Sequence, residues 1–257
     1  MDYGKIIELV KEAGKLVFSD ELKASVNMKG EADFVTAVDL GISSFVKTRL
    51  KELTPEVGFV SEEGNSEVKP VRWILDPIDG TTNLVYDYNM SSVSLALFDT
   101  DRGVFGVVYN PFNGDLFTAE RGKGASLNGK RLDRAPDREL KDCLIKFGAG
   151  STRKAQADTT FALAREVFKN CLDIRRICSS AIAVSYVAAG KLNGYFESKL
   201  KPWDYAAASL ILEECGGKCC DYDGKPIQYD EPTSFVCGTP KALEFLLAEI
   251  KRTATKY

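Results

Sequence analysis

Three strand-like segments follow one another in the middle of the chain, and this run constrains the fold more than any other feature. The segments SVSLALF, VFGVVYN and LFTAERG are rich in β-branched and aromatic residues. Only the turn-like stretches DTDRG and PFNGD separate them. Connections this short join antiparallel neighbours, because a parallel pair needs a much longer crossover. The centre of the chain is therefore predicted to be an antiparallel meander, which excludes a purely parallel α/β fold.

Helix-like and strand-like segments alternate on both sides of this meander. Apolar residues recur at helical spacing near the amino terminus and again from about Leu40 to Leu53, where Pro55 ends the pattern. Further helices are predicted over residues 158–170, 179–189 and 204–215, and from residue 241 onward. With 44% hydrophobic residues in 257, the chain can fill a large core. We expect a mixed α/β (α+β) protein, with residues 1–257 in one domain and a weak subdivision near residues 135–142, where the polar APDREL breaks both periods.

The chain contains no histidine. This absence excludes Ser-His-Asp triads, zinc sites with histidine ligands and imidazole bases. The seven cysteines include no CxxC pair, which favours reduced, mostly buried thiols. Any chemistry must then rest on carboxylates, hydroxyls, lysines, thiols or a metal held by oxygen ligands.

Charge and hydropathy narrow the set of partners. The formal net charge is −3, and no basic stripe favours nucleic acid. The amino-terminal stretch MDYGKIIELVKEAGKLVF carries charge throughout, unlike a signal peptide. No apolar run approaches the ~20 residues that a membrane-spanning helix needs. A cytoplasmic protein that binds neither nucleic acid nor membrane is expected.

The stretch WILDPIDGTTN carries the most specific chemical signal. It reads as a buried strand that ends in Asp76 and Asp79 and runs into Gly80-Thr81-Thr82, where a helix would begin. Backbone N–H groups at such a turn attract an anion, and Gly80 lets an oxyanion approach the backbone closely. Further acids that end strands or start helices are Glu62, Glu63 and Asp204. Oxygen-only ligands suit Mg²⁺, with Mn²⁺ as an alternative.

Two metal ions beside an anion-binding turn would suit the cleavage of a phosphate ester. Phosphatases that form an aspartyl-phosphate carry Asp-x-Asp-Gly-Thr, but here Pro77 occupies the position of the first aspartate. Attack by a metal-activated water is therefore favoured over a covalent intermediate. A structural explanation stays open for each motif alone, since Asp-Pro and Asp-Gly form turns and Asp204 could simply cap a helix.

Together, WILDPIDGTTN, the upstream SEEG and the downstream PWDYAAASLILEECGG resemble the inositol monophosphatase family, a group of Mg²⁺-dependent, lithium-sensitive phosphomonoesterases. The resemblance implies a layered α/β/α/β/α sandwich of the inositol monophosphatase and fructose-1,6-bisphosphatase type, usually a homodimer, with two or three Mg²⁺ ions. The implied metal ligands are Glu62, Asp76, the Ile78 carbonyl, Asp79 and Asp204. The implied catalytic residues are Thr81, Asp39 and Glu62. Thr81 would hold the nucleophilic water, and Asp39 would accept a hydrogen bond from the Thr81 hydroxyl. Gly80 and Thr81 would bind phosphate. Glu63 would lie next to the metal ligands without binding the metal itself.

The substrate end departs from the family pattern. Leu84-Val85-Tyr86 follows Thr-Thr-Asn where the family has an aromatic residue and then a His-Gly pair, and the later helix opens Ser179-Ser180-Ala181 instead of Gly-Ser/Thr-Ala. An added side chain at Ser179 would narrow the pocket or supply a new donor. The residues expected to contact substrate are Asp79, Ser179, Ser180, Ala181, Glu197 and Lys201.

The leading hypothesis is a Mg²⁺-dependent phosphatase of a small phosphorylated polyol or sugar, with inositol monophosphate as the first candidate. Fructose 1,6-bisphosphate, a 3′-phosphonucleotide and histidinol phosphate are alternative substrates. The competing class is a non-catalytic protein that binds metal or phosphate, or one recruited for protein contacts.

Overall fold

The computed structural model describes residues 1–19, 26–30, 33–150 and 152–254. The described residues form seven α-helices: α1 (Tyr3–Gly14), α2 (Ala37–Leu53), α3 (Thr81–Val85), α4 (Ala157–Asn170), α5 (Ser180–Ala188), α6 (Pro202–Glu214) and α7 (Pro240–Ala254). They also form fourteen strands: β1 (Val26–Gly30), β2 (Asp33–Thr36), β3 (Gly58–Ser61), β4 (Val71–Asp79), β5 (Ser92–Asp99), β6 (Arg102–Tyr109), β7 (Leu116–Glu120), β8 (Gly124–Leu127), β9 (Lys130–Arg131), β10 (Leu144–Phe147), β11 (Asp173–Arg175), β12 (Gly194–Leu200), β13 (Lys218–Cys220) and β14 (Thr233–Gly238).

The predicted meander is confirmed and forms most of the larger sheet. Seven strands lie in the order β3-β4-β5-β6-β7-β8-β9, and every neighbouring pair from β4 onward is antiparallel. Only β3 runs parallel to β4. The stretch SLNGKRL forms the β8–β9 hairpin that ends this sheet.

The smaller sheet has five strands in the order β11-β10-β12-β14-β13. Its β10 is parallel to both β11 and β12, whereas β14 is antiparallel to its two neighbours. Both sheets are therefore mixed, as expected when a chain combines hairpins with helical crossovers.

Three hydrophobic clusters define the layers. The first joins α1 and α2 to one face of the large sheet, through side chains such as Val10, Val46 and Trp73. The second holds α5 and α6 between the two sheets. The third joins α4 and α7 to the far face of the small sheet. This is the layered α/β/α/β/α sandwich that the family resemblance implied.

Helix boundaries differ slightly from the predictions. Helix α6 begins at Pro202, two residues before Asp204, because proline fits the first helical position, where no N–H is needed. The pattern does not predict the β1–β2 hairpin or β13, which are short. The stretch at 135–142 connects the large sheet to the small one. Among the described helices, none is long and apolar enough to cross a membrane.

Small residues set the distance between α6 and the large sheet. Gly106 on β6 faces the alanine-rich stripe of α6, and a Cβ at this position would lie 2.8 Å from the Ala207 oxygen and 3.2 Å from its Cα. Those are backbone atoms, which cannot move aside as a flexible side chain could.

Gly106→Ala is therefore expected to lower the free energy of unfolding by about 1–3 kcal/mol through overpacking. Gly103→Ala is the matched control on the same strand, since its nearest neighbours would lie at an ordinary 3.4 Å. Urea denaturation of both variants measures the difference. Equal stability of the two variants would contradict this account of the α6 contact.

Candidate active site

A bulge at the end of β4 brings Asp76 and Asp79 to the same side of the sheet. Asp76 lies opposite Ser94 and Asp79 opposite Ser92, so three steps on β4 match two on β5. In a regular strand, residues three apart point to opposite faces. The extra residue in the Asp-Pro-Ile-Asp segment removes that alternation, as bulges commonly do near active sites. Both aspartates consequently line one cavity of about 330 Å³.

This cavity collects most of the residues that the sequence singled out. Its wall contains ten of them: Glu62, Asp76, Ile78, Asp79, Gly80, Thr81, Ser180, Glu197, Lys201 and Asp204. They come from the ends of β3, β4 and β12 and from the first turns of α3, α5 and α6. Distant parts of the chain thus converge on one polar depression between the sheets.

Asp76 is a strongly perturbed carboxyl group of the site. It is 1% exposed, and among the described residues its Oδ1 atom has no hydrogen-bond partner. Burial raises the pKa of Asp76 well above its ordinary value, and repulsion from Glu62, Asp79 and Asp204 adds to the shift. An unpaired buried carboxylate oxygen is costly unless a cation or proton compensates it.

The cavity fits a bound metal ion in its donor set. Its acids supply only oxygen ligands, the type that Mg²⁺ prefers, and the orphaned Asp76 oxygen offers a free lone pair. Within the described ranges, no three acidic or cysteine side chains already converge as a metal-binding group. Asp79 accepts hydrogen bonds at both oxygens and Asp204 at Oδ2, and the Oδ1 atom of Asp204 keeps its lone pairs for a cation.

Asp79 is anchored by the start of α5. Its Oδ2 accepts hydrogen bonds from the Ser179 hydroxyl and from the Ala181 N–H at 2.7 Å, and its Oδ1 accepts one from the Ser180 N–H at 3.1 Å. Burial raises the pKa of Asp79, and these hydrogen bonds oppose the shift. A helix amino terminus is a favourable place for a carboxylate.

Asp39 lies behind Thr81, outside the cavity wall. It is the third residue of α2 and forms a capping box with Thr36, whose N–H it accepts at 2.8 Å. Its other oxygen lies 3.2 Å from the Thr81 hydroxyl, which is also 3.1 Å from the Ile78 carbonyl. Burial raises the pKa of Asp39, and the hydrogen bonds from Thr36 and Thr81 oppose the shift. The threonine and the acid that the resemblance pairs are therefore in contact.

Gly80 occupies a position that only glycine fits well. Its φ is +98°, and a Cβ would lie 3.1 Å from the Cys178 oxygen and 3.2 Å from the Met90 oxygen. The helix that follows has only five residues, so its dipole is small. An anion at this turn would be bound mainly by the nearby backbone N–H groups.

The remaining acids lie at the ends of β3 and α6. Glu62 is half-buried, and its Oε1 is 3.9 Å from the Lys201 ammonium. The Lys201 side chain is half exposed and lies over the Trp203 ring. Asp204 accepts the Lys201 N–H at 2.7 Å, and burial followed by repulsion from Asp79 raises its pKa well above the ordinary value. Glu63 is buried outside the cavity wall.

Two predicted substrate contacts need correction. Ser179 and Ala181 are fully buried and absent from the cavity wall, because their donors are used by Asp79. The Ser179 side chain therefore does not narrow the pocket. Cys178 lines the cavity instead and has a φ of +62°, in the left-handed region that favours glycine. Cys178 thus occupies the left-handed position that glycine would fit best, one residue before Ser179.

The sequence interpretation also missed three cationic side chains in the wall: Lys146, Arg153 and Arg176. Lys146 lies in a segment with the pattern of an apolar strand, and no motif marks it as a site residue. Only the parallel pairing of β10 with β11 and β12 brings it to the cavity.

A larger cavity of about 510 Å³ lies elsewhere, between the carboxyl-terminal ends of α5 and α6 and helix α7. Its wall is mainly apolar, with side chains such as Val187, Leu212 and Leu243, and Glu244 is its single acid among the described residues. It lacks the grouped carboxylates of the smaller cavity, where we place the active site.

Comparison with known proteins identifies the family of the chain. The sequence profile of the inositol monophosphatase family matches residues 3–255. The chain belongs to the inositol monophosphatase family. It is a phosphatase.

Two relatives carry different names. The chain is 35% identical over 256 residues to an inositol-1-monophosphatase of Rhizobium meliloti, covering 96% of this chain and 95% of that one. It is 34% identical over 253 residues to the Nus factor SuhB of Escherichia coli K12, covering 95% and 94%.

Solved structures share the fold. An IMPase of Thermotoga maritima superposes with a TM-score of 0.90 at 27% identity, covering 100% of this chain and 99% of that one. An IMPase/NADP phosphatase complexed with Mg²⁺ and phosphate gives a TM-score of 0.85 at 27% identity, covering 96% and 93%.

The acidic site is expected to destabilise the metal-free protein at neutral pH. A carboxyl group with a raised pKa contributes stability at low pH that is lost as pH rises through that pKa. Asp76→Asn removes a fully buried charge, so the variant should melt higher than the parent at pH 7 without metal, by about 2–4 °C for each kcal/mol of repulsion relieved.

Thermal melts with EDTA and with Mg²⁺ measure this effect. Mg²⁺ should raise the melting temperature of the parent more than that of Asp76→Asn, because the variant lacks one ligand. The exposed Asp223→Asn serves as the control and should follow the parent. A metal-free Asp76→Asn protein that melts below the parent would contradict the account.

Proposed function

We propose that this protein is a Mg²⁺-dependent phosphomonoesterase acting on a small phosphorylated polyol or sugar, with inositol monophosphate as the first substrate to test. One observation carries the proposal. The buried Asp76, with its unpaired oxygen, lies among further carboxylates in the same cavity as Thr81, whose hydroxyl contacts Asp39. The related IMPase/NADP phosphatase that holds Mg²⁺ and phosphate supports this function.

The metal ligands are assigned from the family resemblance and the cavity wall. Glu62, Asp76, Asp79, Asp204 and the Ile78 carbonyl would hold two or three ions. When bound, Mg²⁺ stabilises the charge that develops on the phosphoryl group and makes water more acidic. The orphaned oxygen of Asp76 supports its assignment as a metal ligand.

Thr81 and Asp39 would orient the attacking water. The Thr81 hydroxyl donates to Asp39 at 3.2 Å, which leaves its lone pairs free to accept a hydrogen bond from water. Asp39 is held by Thr36, so its other oxygen is positioned as an acceptor for the Thr81 hydroxyl, beside the Ile78 carbonyl at 3.1 Å. The glutamate at position 62 would assist in accepting the proton of the water. Backbone N–H groups at Gly80 and Thr81 would bind the phosphate oxygens.

The alcohol part of the substrate would lie towards Glu197. This carboxylate is nearly buried, lines the cavity and accepts a hydrogen bond from the Tyr195 hydroxyl at 2.5 Å. The Ser180 hydroxyl lies 2.8 Å from the same Tyr195 oxygen. A substrate hydroxyl that reaches Glu197 would thus meet a preorganised acceptor.

A second candidate function comes from the relatives named Nus factor SuhB. A role of that kind would rest on contacts with other proteins and would not require hydrolysis. An assay of phosphate release distinguishes the phosphatase function from the non-catalytic role. A non-catalytic protein would bind Mg²⁺ at the acidic cavity without releasing phosphate.

Other properties are inferred from the family resemblance alone. We infer a cytoplasmic, single-domain homodimer that is inhibited by lithium and accepts Mn²⁺ in place of Mg²⁺. Light scattering would measure the oligomeric state, and assays with Li⁺ and Mn²⁺ would test the metal preferences.

Phosphate release from inositol 1-phosphate is expected with Mg²⁺ and not with EDTA. Thr81→Ala should lower kcat about 10²-fold or more, because it removes the group that orients the water. Thr81→Ser is the matched control, since it keeps the hydroxyl and should retain most activity. Equal kcat for Thr81→Ala and Thr81→Ser would show that the hydroxyl group at position 81 does not take part in catalysis.

Activity is expected to fall as the pH is lowered, starting above the ordinary aspartate range. The raised pKa values of Asp76 and Asp204 mean that protons compete for these carboxylates at mildly acidic pH. Because metal and proton compete for the same oxygens, more Mg²⁺ should move the acid limb to lower pH. Rate profiles at two Mg²⁺ concentrations measure this shift, and an acid limb independent of Mg²⁺ would contradict it.

A further inference from the structure

Strand β12 places Tyr195 and Glu197 on the same face of the small sheet, because side chains two residues apart in a strand point the same way. Lys146 lies opposite Tyr195 on the neighbouring strand β10 and shares that face. Ser180 reaches Tyr195 from the first turn of α5. These four polar side chains form a buried cluster in which none is more than 7% exposed.

The hydrogen bonds of this cluster all point towards the carboxylate. The Tyr195 hydroxyl donates to Glu197 Oε2 at 2.5 Å, and this bond uses its single proton. The Ser180 hydroxyl lies 2.8 Å from the Tyr195 oxygen, so Ser180 must be the donor of the second bond. Glu197 is therefore held as the final acceptor of a short chain of hydroxyl groups.

Lys146 compensates the charge of this carboxylate. Its ammonium lies 3.9 Å from Glu197 Oε2 and 3.7 Å from the centre of the Tyr195 ring. A buried carboxylate is costly unless a cation accompanies it. Tyr195 and Lys146 both approach Oε2, and within the part of the chain that the structure describes no hydrogen bond engages Oε1. Oε1 therefore keeps its lone pairs for a hydroxyl group of a bound molecule.

Gly148 lies against the same carboxylate in the cavity wall. It follows the last residue of β10, and its N–H donates to the Phe196 carbonyl at 2.9 Å, which fixes its backbone to β12. A Cβ at position 148 would lie 1.8 Å from Glu197 Oε2 and 2.1 Å from its Cδ. Any side chain at this position would therefore occupy the space that the carboxylate fills.

We propose that Gly148 and Tyr195 are positioning residues that hold Glu197 where a hydroxyl group of the alcohol can donate to it. The protein would then select phosphomonoesters whose alcohol carries a free hydroxyl group over those whose alcohol carries none. This inference rests on the proposed phosphatase function and on the place given there to the alcohol. It adds the two residues that fix the acceptor, neither of which belongs to a motif of the sequence.

Tyr195→Phe tests the hydroxyl that holds Glu197, with two substrates that differ in the alcohol. Inositol 1-phosphate carries free hydroxyl groups, and p-nitrophenyl phosphate carries none. The variant keeps the ring that Lys146 contacts and loses only the hydrogen bond. It should lower kcat/KM for inositol 1-phosphate about tenfold, mainly through KM, and leave that for p-nitrophenyl phosphate within about twofold.

Tyr186 supplies a matched control outside the cavity wall. Its hydroxyl donates to the Asp115 carboxylate at 3.1 Å. The Lys191 ammonium lies 2.9 Å from that carboxylate and 4.4 Å from the centre of the Tyr186 ring. Since this group repeats the arrangement of tyrosine, acid and lysine away from the site, Tyr186→Phe should leave the ratio of the two kcat/KM values unchanged.

Gly148→Ala tests the position of the carboxylate without removing a hydrogen-bonding group. The added methyl group should displace Glu197 and lower kcat/KM for inositol 1-phosphate about tenfold relative to that for p-nitrophenyl phosphate. Thermal stability should change little, because the displaced atoms end a flexible side chain. Gly103→Ala is the control, since a Cβ there would meet nothing closer than 3.4 Å.

A double-mutant cycle shows whether Tyr195 acts through Glu197. Glu197→Ala should lower the ratio by itself, and Tyr195→Phe in that background should change it no further. Additive effects would give Tyr195 a separate role and overturn the positioning. Circular dichroism and thermal melts identify any variant that fails to fold, and the two single variants decide the question if Glu197→Ala does.

The outcomes separate this inference from the proposed function. Equal losses for both substrates in Tyr195→Phe and Gly148→Ala, or no loss for either, would overturn the positioning and leave the phosphatase intact. No phosphate release from either substrate by the parent protein would overturn the proposed function as well. A ratio that Tyr195→Phe and Gly148→Ala lower, and that both controls retain, would establish the positioning.

Discussion

Electrostatic repulsion around one buried carboxylate is the constraint on which the rest of the structure depends. Asp76 is buried with one oxygen unpaired, and Glu62, Asp79 and Asp204 lie near enough to raise its pKa. Such a group is tolerated only if the surrounding fold is stable enough to hold it. The three hydrophobic clusters of the layered sandwich provide that stability, and the strand and helix ends that they position all meet at the cavity.

The same cavity connects local structure to chemistry. The bulge in β4 places two aspartates on one side, the capping box of α2 holds Asp39 against Thr81, and the start of α5 holds Asp79. Each device is a familiar local solution to an unpaired backbone or carboxylate group. The same wall also carries cations from β10 and from the loops after β10 and β11.

Much of the fold could be predicted because its signals are local. The meander, the amphipathic helices and the helix-ending Pro55 follow from periodicity and turn residues. The β1–β2 hairpin and the three-residue β13 could not be predicted, because these strands are too short to show a period. Ser179 illustrates a different limit. Its place in the sequence suggested a substrate contact, but helix α5 turns its hydroxyl onto Asp79 and leaves Cys178 at the cavity wall.

The sequence by itself determined the kind of chemistry. It contains no histidine, and it groups aspartates, a glycine and threonines in WILDPIDGTTN, a string specific enough to indicate a family and its metal ligands. Only the tertiary structure decided which cations share the cavity with those acids. Lys146 and Arg176 lie in segments with no motif, and the parallel pairing of β10 with β11 and β12 brings them together. The physical reason is that a motif records neighbours along the chain, whereas a charge acts on whatever lies near it in space.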